Sequence, residues 1–199
     1  MDDVQALVCL HSEVFKGYNS TAMGPGYLRS LYSTLACHVL CISIVASAGD
    51  RILGWIGGVG DWRAYQKALL LSNIVRGPAI LFSVLRNRPR LLKKALVFVW
   101  EVLLQFLQPP RARDALDKEA GSSRQAALLA IGVAPCCQNQ GLSQEMMTTF
   151  HRRLLLKGYA ACTASTFSDN HPGNRAFQKA GYRLYQTSNG VNYYSKELA

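Results

Sequence analysis

The residues best suited to chemistry lie in the loop that follows the apolar run Gln125–Val133. Gln138, Gly141 and Ser143 stand there, just before an amphipathic segment, so the loop would lead from a buried strand into the first turn of a helix. The N–H groups of that turn have no partner within the helix and carry partial positive charge, and a glycine lets an anion approach the backbone closely. The spacing therefore suits a pyrophosphate, and an ordinary strand-to-helix turn is the alternative.

These residues need a sheet with helices against it to hold them in place. The C-terminal part alternates predicted strands with helices, and the strands cover 125–133, 159–167, 182–187 and 191–195. The first of them is continuously apolar, which predicts burial on both faces. An amphipathic helix ends at Gly158, and a second helix begins at Pro172 and ends at Gly181. Ser188-Asn189-Gly190 is predicted as a hairpin turn.

The N-terminal part is predicted to contain two helices and a hairpin. Helical spacing of apolar residues covers 2–15 and 26–36, and β-rich runs cover 39–46 and 51–60. Ala48-Gly49-Asp50 would connect the two runs. The glycines of the second run predict a bulge or a close backbone approach. The alternation of elements indicates an α/β chain whose central sheet is covered by helices.

Length, composition and charge limit the classes of function. With 199 residues, 49% of them hydrophobic, the chain is expected to form a single domain over 1–199, neither a disordered chain nor a disulfide-stapled miniprotein. The net charge of +10 favours an anionic partner, which could be a phosphorylated ligand, a nucleic acid or an anionic membrane. No nucleic-acid-binding motif is recognisable, so nucleic acid is not expected as a partner.

Neither a targeting signal nor a metal-binding pattern is recognisable. Met1-Asp2-Asp3 lacks the positive start of a secretory leader, and the apolar stretch 95–107 is too short to span a bilayer. The six cysteines show no Cys-x-x-Cys pair and no histidine at zinc-ligand spacing. We therefore expect a cytoplasmic protein with reduced thiols and no metal.

The loop after residue 133 resembles the first signature of the GCN5-related N-acetyltransferase (GNAT) family. That signature is Gln/Arg-x-x-Gly-x-Gly/Ala after a strand ending in Val-x-Pro. The chain has Gln138-x-x-Gly141-x-Ser143 after Val133-Ala134-Pro135.

The family's second signature is an Asn before an aromatic residue, followed by Lys-x-Gly-aromatic. Asn170, Phe177 and Lys179-Ala180-Gly181-Tyr182 are similar to it. Both signatures occur in the family's order, and the clear resemblance covers residues 125–197.

The resemblance implies a mixed central sheet flanked by helices. The hairpin at 39–60 would supply the family's second and third strands, and residues 61–120 would be a helical insertion between the third and fourth strands. The family's first strand has no counterpart before the helix at 2–15, so either the chain begins late or the sheet lacks that edge. The strand at 39–46 would then be an exposed edge of the sheet.

The resemblance also implies acetyl-CoA as cosubstrate, held where the strand ending at Val133 splays away from its parallel neighbour. Backbone at 131–133 would pair with the pantetheine arm, and amides of 138–143 would hold the pyrophosphate. The Asn170 side chain would reach the pantetheine, and Phe177 would lie beside the thioester sulfur. The implied cosubstrate-binding residues are Ile131, Gly132, Val133, Gln138, Asn139, Gln140, Gly141, Leu142, Ser143, Asn170 and Phe177.

Two departures from the family leave the catalytic residues unassigned. Family members commonly have a Tyr at the position of Phe177, which protonates the thiolate, and many have a Glu at the position of Ala127, which deprotonates the amine. Neither residue present here can transfer a proton, and such transfer typically contributes about 10²–10⁴-fold. Side chains that could titrate or donate near the cleft, each with a structural role as the alternative, are Asp61, His11, His38 and Tyr185.

The insertion contains a basic and then apolar helical pattern over 83–107. Its run Arg86-x-Arg88-Pro89-x-Leu91-Leu92 resembles acetyltransferases associated with bacterial surface-polysaccharide synthesis. Three interpretations stay open and are compatible with one another. The segment could be a cap on the sheet, an acceptor lid whose arginines hold a phosphate, or a peripheral helix on the anionic inner membrane face.

The sequence as a whole predicts an acetyl-CoA-dependent N-acetyltransferase acting directly on a primary amine. The preferred acceptor is an amino sugar or a nucleotide-linked amino sugar, and a polyamine, an antibiotic or a protein amine comes next. Phe177 and Ala127 support the alternative, a non-catalytic acyl-CoA-binding or membrane-docking module.

Overall fold

A six-stranded mixed sheet forms the centre of the part of the chain that the structure describes. This computed structural model describes residues 3–16, 18–39, 41–61, 65 and 124–198. The strands are β1 Cys41–Ala48, β2 Arg51–Val59, β3 Gln125–Val133, β4 Ala161–Phe167, β5 Arg183–Ser188 and β6 Val191–Glu197. The helices are α1 Asp3–Val14, α2 Asn19–Ala22, α3 Pro25–Cys37, α4 Leu142–Leu156 and α5 His171–Lys179.

The strand order is β1-β2-β3-β4-β6-β5, and β3 and β4 form its one parallel pair among the described strands. A mixed sheet flanked by helices confirms the predicted fold class. The predicted elements that fall within the described residues all occur, with ends displaced by a residue or a few. The two predicted hairpin turns are present as well, with φ of 56° at Gly49, 51° at Asn189 and 73° at Gly190.

Helices cover both faces of the sheet and divide the core into two layers. α1 and α3 pack on one face, where Leu28, Tyr32 and Trp55 are buried. α4 covers the opposite face with Phe150 and Leu154, at the helical spacing that the sequence predicted. β2 and β3 thus have helices on both faces, which favours apolar residues on both sides of these central strands.

The glycine-rich β2 lies against a bulge in β3. Gly57 pairs with Ala130 and Gly58 pairs with Leu128, so Leu129 is the extra residue. A Cβ at Gly58 would lie 2.4 Å from the Phe150 ring, so a glycine is needed for α4 to pack this closely. The predicted bulge and the predicted close approach are both confirmed, with the inserted residue on the neighbouring strand.

The prediction that β3 is buried on both faces is wrong for its second half. Ala126 and Leu128 are buried, whereas residues 129–131 are half-buried. The parallel pairing with β4 ends at Ala127 and Thr163. Beyond that pair β3 faces a gap on one side, and its side chains lose the neighbours that would bury them.

At the other side of the sheet, β1 is an edge strand within the described residues, where it pairs with β2 alone. This is the edge position that the sequence predicted for the strand at 39–46. The predicted helix over 83–107 and nearly all of the insertion at 61–120 lie outside the described residues. No helix in the described part is long and apolar enough to cross a bilayer.

Candidate functional site

The two parallel strands β3 and β4 separate after a short stretch of pairing. At the point of separation, the hydroxyl of Thr163 donates to the Ala126 carbonyl oxygen over 3.4 Å. A cavity of about 380 Å³ lies beyond this point. Its lining residues come from α1, α2 and the segment between them, from β3, and from β4, the segment after it, α5 and the start of β6. They are His11, Phe15, Tyr18, Ser20, Leu128, Leu129, Ala130, Ile131, Ser165, Thr166, Phe167, Asn170, Gly173, Phe177 and Val191.

The bulge in β3 brings both layers of the core to this cavity. Leu128 faces the α4 side of the sheet, and Leu129 and Ala130 both pack toward the α1 side because the extra residue breaks the alternation. Ile131 then returns to the α4 side. All four residues line the cavity, so side chains from both faces of the sheet border it.

One wall of the cavity is α5, whose first turn is capped by Asn170. Asn170 Oδ1 accepts from the Gly173 N–H over 3.1 Å, and its Nδ2 donates to Thr166 Oγ1 over 2.8 Å. The amide has a second N–H that can reach a ligand. Further along the helix, the Phe177 ring is 4% exposed and packs 5.4 Å from the ring of Tyr182.

The loop between β3 and α4 presents backbone N–H groups. A 3-10 turn covers Pro135–Cys137, and α4 begins after Gly141, which has a φ of 84°. The Gln138 side chain donates to the Val133 carbonyl oxygen over 3.1 Å and ties the loop to β3. Within the described residues, no backbone carbonyl accepts from the N–H groups of 139–141. The N–H groups of Leu142 and Ser143 also have no backbone acceptor there, since the first bonds of α4 run from Gln144 and Glu145 to the Gly141 carbonyl oxygen. The N–H groups of 139–143 thus form a run of donors without backbone partners.

On the opposite wall, both ring nitrogens of the buried His11 are hydrogen-bonded. Nδ1 lies 2.8 Å from the hydroxyl of Tyr32 on α3, and Nε2 lies 3.0 Å from Oγ of Ser20 on α2. Burial lowers the pKa of His11 to about 4, so the imidazole is neutral near pH 7. Thr21 Oγ1 donates to the Phe15 carbonyl oxygen over 2.6 Å and holds α2 against the end of α1.

An aromatic row crosses from α1 to the end of β4. Its ring centroids are 4.7 Å apart for His11 and Phe15, 5.4 Å for Phe15 and Tyr18, and 5.7 Å for Tyr18 and Phe167. With His11 neutral, none of the described residues that line the cavity carries a formal charge. The cavity therefore offers ring faces and hydroxyl groups to a ligand.

The residues expected to bind the cosubstrate occupy one continuous path. Ile131, Asn170 and Phe177 line the cavity. Gly132 and Val133 continue β3 toward the loop, and 138–143 form the loop and the first residues of α4. The structure thus brings three of these residues around the cavity and places the others beyond one end of it. Their contacts with a cosubstrate stay predictions.

The four candidates for proton transfer lie in different places. His11 lines the cavity, whereas His38, Asp61 and Tyr185 are not among its described lining residues. His38 follows α3, Asp61 follows β2, and Tyr185 is 47% exposed on β5. No group of three or more metal-ligating side chains occurs among the described residues.

Sequence reasoning missed Ser20 and Tyr32 as partners of His11. The three residues lie on three separate helices, and no periodicity or motif connects them. The one local signal is the polar run Asn19-Ser20-Thr21 between two helical patterns, which is also typical of an ordinary connection.

Comparisons with solved structures identify the architecture, although the sequence matches no family model and no curated protein. The GNAT domain of S. lividans PAT has a TM-score of 0.60 at 14% identity, covering 100% of this chain and 86% of that one. The PaiA N-acetyltransferase from Thermoplasma acidophilum, solved in complex with coenzyme A, has a TM-score of 0.58 at 12% identity, covering 98% and 93%. The ribosomal-protein-S18-alanine N-acetyltransferase from Escherichia coli has a TM-score of 0.56 at 10% identity, covering 99% and 88%.

At such low identities, these similarities concern the arrangement of the chain. They agree with the six-stranded mixed sheet flanked by helices. The described chain therefore has the fold of the GCN5-related N-acetyltransferases.

Proposed function

We propose that this chain transfers an acetyl group from acetyl-CoA directly to a primary amine, without a metal. The observation that carries the proposal is the cavity where β3 and β4 separate, which is bordered by residues from both faces of the sheet. At one end, β3 continues toward the unused N–H groups of 139–141. An acetyl thioester in the gap would have a phosphate site at that end and an opening for an amine on the α1 side.

The described residues suit coenzyme A in charge and in backbone geometry. The N–H groups before α4 add to the positive end of the helix dipole, which favours the pyrophosphate. A Cβ on Gly141 would meet no atom within 4 Å, so the space in front of this backbone is open to a ligand. Beyond Ala127, the side of β3 that faces the gap is open to pairing with the pantetheine amides, in the manner of an added strand.

These positions support the binding residues that the resemblance implies. The pantetheine arm would contact Ile131, Gly132, Val133, the second N–H of Asn170 and the ring of Phe177, and the pyrophosphate would contact Gln138, Asn139, Gln140, Gly141, Leu142 and Ser143. Bound there, acetyl-CoA supplies an activated acetyl group, whose carbonyl could be polarised by backbone N–H groups.

The uncharged cavity favours a neutral amine as nucleophile. An ammonium ion that moves from water into an apolar cavity loses solvation, and its pKa falls. Holding the neutral amine beside the thioester then supplies much of the acceleration through orientation alone. This matters here because Phe177 has no hydroxyl with which to protonate a leaving thiolate.

An amino sugar or a nucleotide-linked amino sugar is the acceptor class that we propose. The aromatic row supports this class, because ring faces pack well against the apolar face of a sugar or against a cationic group. The arginines of 86–90 would hold a phosphate on such an acceptor. Their placement, and contact of 83–107 with an anionic membrane, stay predictions because these residues lie outside the described part.

Calorimetric titration with CoA, followed by acetyl-CoA consumption on a panel of amines, tests the proposal. The informative variant is Gly141→Ala, since a side chain at a φ of 84° is strained even where space is open. The free loop of the variant can relieve a strain of about 1–2 kcal/mol by leaving this conformation. Because CoA then has to restore the conformation, we expect binding to weaken roughly tenfold. Gly49→Ala is the matched control, because Gly49 also has a positive φ and open space but lies in the β1–β2 turn.

The outcomes separate the two hypotheses. CoA binding with turnover of an amino sugar supports the enzyme. Tight CoA binding without turnover of any amine would instead support the non-catalytic acyl-CoA-binding module. No heat on titration with CoA would contradict both.

A further inference from the structure

The His11 cluster is an ordered chain of polar groups that ends at the cavity. Tyr32 is 2% exposed and His11 is 5% exposed, so the phenol and the imidazole lie inside the core. Ser20 is half-buried and lines the cavity together with His11. The hydrogen bonds of 2.8 Å and 3.0 Å connect the three groups in the order Tyr32, His11, Ser20.

A neutral imidazole between two hydroxyl groups can pass a proton in one direction or the other. One ring nitrogen carries a hydrogen and donates, and the other accepts. When Nδ1–H donates to the Tyr32 oxygen, Nε2 accepts from the Ser20 hydroxyl. Burial raises the pKa of the Tyr32 phenol, which therefore stays protonated beside His11.

We propose that Ser20 and His11, held by Tyr32, are the proton path of acetyl transfer in this chain. The inference deepens the proposed function and rests on it. Ser20 is the catalytic residue because it lines the cavity and its hydroxyl is bonded to His11, and Tyr32 is a positioning residue because it acts through His11. The path takes the place of the two groups that Phe177 and Ala127 cannot supply.

The proton moves in two balanced stages. As the amine nitrogen forms its bond to the acetyl carbon, its surplus proton passes to Ser20 Oγ, and the Ser20 proton passes to His11 Nε2. As the carbon–sulfur bond breaks, the CoA thiolate takes a proton back from the imidazolium through the same hydroxyl. The products are the N-acetyl amine and CoA thiol, with Ser20 and His11 restored.

The burial of His11 suits it to carrying a proton only briefly. The imidazolium in this position is acidic, since burial disfavours its charge, and a thiolate therefore takes its proton readily. A histidine that stayed protonated at rest would block the path. The cost is that His11 is a weak base toward the amine, which is why the neutral amine matters.

The test compares Ser20→Ala with Ser20→Thr in the full chain, using the best acceptor found for the wild type. We expect Ser20→Ala to lower kcat by about 10²-fold or more while leaving CoA affinity and the KM for acetyl-CoA unchanged. Ser20→Thr keeps a hydroxyl and should restore most of the rate. Tyr32→Phe should lower kcat less than Ser20→Ala does and should change its dependence on pH.

Ser12→Ala on α1 is the matched control, because it removes an exposed hydroxyl that donates to the Val8 carbonyl oxygen. It should leave kcat unchanged. A Ser20→Ala enzyme with an unchanged kcat would overturn the proton path while leaving the proposed function standing. So would equal losses in Ser20→Ala and Ser20→Thr, since these would indicate a packing role. A wild type that binds CoA and acetylates no amine would overturn the proposed function, and this path with it.

Discussion

Asn174 on α5 is a buried amide that fastens one wall of the cavity to the sheet. Its Nδ2 donates over 3.1, 3.2 and 2.8 Å to three carbonyl oxygens at the end of β4 and the start of α5, those of Phe167, Ser168 and Asn170. Its Oδ1 accepts from Asn192 Nδ2 over 2.9 Å and from the Tyr194 hydroxyl over 2.6 Å. We predict that Asn174→Ala destabilises the chain and loosens the α5 wall.

The magnitude follows from what the substitution leaves behind. A hydrogen bond contributes about 0.5–1.5 kcal/mol net, whereas a buried polar group left without a partner costs about 1–3 kcal/mol. The Tyr194 hydroxyl, on a side chain that is 1% exposed, would be one such group. The carbonyl oxygens near the surface can recover water. The expected loss is therefore about 3–4 kcal/mol, a large effect for one substitution.

Urea unfolding measures this loss as a lower midpoint at an unchanged m-value. CoA titration of the same variant should show weaker binding, because Asn170 and Phe177 stand on the helix that has lost its anchor. Tyr194→Phe serves as the matched variant. It removes one of the five hydrogen bonds and leaves Asn192 on Oδ1, so it should cost about 1–2 kcal/mol.

A loss below about 1 kcal/mol in Asn174→Ala would refute the reasoning, since it would fall within the range of a single exposed hydrogen bond. An equal loss in the two variants would also refute it, because the cost would then come from Tyr194 alone. Asn174→Asp gives a further check. It keeps the shape but replaces the donor with an oxygen facing three carbonyls, so it should be at least as destabilising as Asn174→Ala.

Two further predictions concern acid stability and the shape of the cavity. Burial lowers the pKa of His11 and of His151 from 6.5 to about 4, and the Lys196 charge adds to the effect on His151. Between pH 6.5 and pH 4, the unfolded chain therefore binds protons more readily than the folded chain does. The free energy of unfolding should therefore fall as the pH decreases from 6.5 to 4, by about 1–2 kcal/mol per histidine after solvent screening. Urea midpoints that stay constant over this pH range would contradict the prediction. Gly132→Ala would place a Cβ 3.1 Å from the Phe15 ring and displace that ring. The KM for the amine should therefore rise in initial-rate measurements. An unchanged KM would show that Phe15 does not border the acceptor.

Local signals in the sequence were enough to predict the six described strands, the described helices other than α2, and the loop. Gly158 and Gly181 follow the ends of α4 and α5 with φ of 77° and 85°, because a glycine readily takes the left-handed conformation after a helix. Apolar residues that recur every four positions in α4 predicted which side of the helix meets the sheet. These features depend on residues a few positions apart, and each can be recognised without knowing what packs against it.

The burial of β3 shows where such signals fail. Its nine residues are apolar throughout, which is typical of a fully covered strand. The structure ends the pairing with β4 at Ala127, and the same apolar side chains line a cavity. An apolar residue fits a core and an apolar binding cavity equally well, so composition cannot distinguish them.

The hydrogen-bonded side chains of α1, α2 and α3 show most clearly what the sequence predicted and what the tertiary structure decided. The sequence placed His11 on a helix, and it placed Gln138 and Gly141 in a loop suited to an anion, because these properties belong to short stretches of chain. That His11 bonds to Ser20 and Tyr32 and reaches the cavity was decided by the packing of three helices on the sheet. Contacts between distant segments depend on the angle and register at which whole elements meet, and no spacing along the chain encodes those directly.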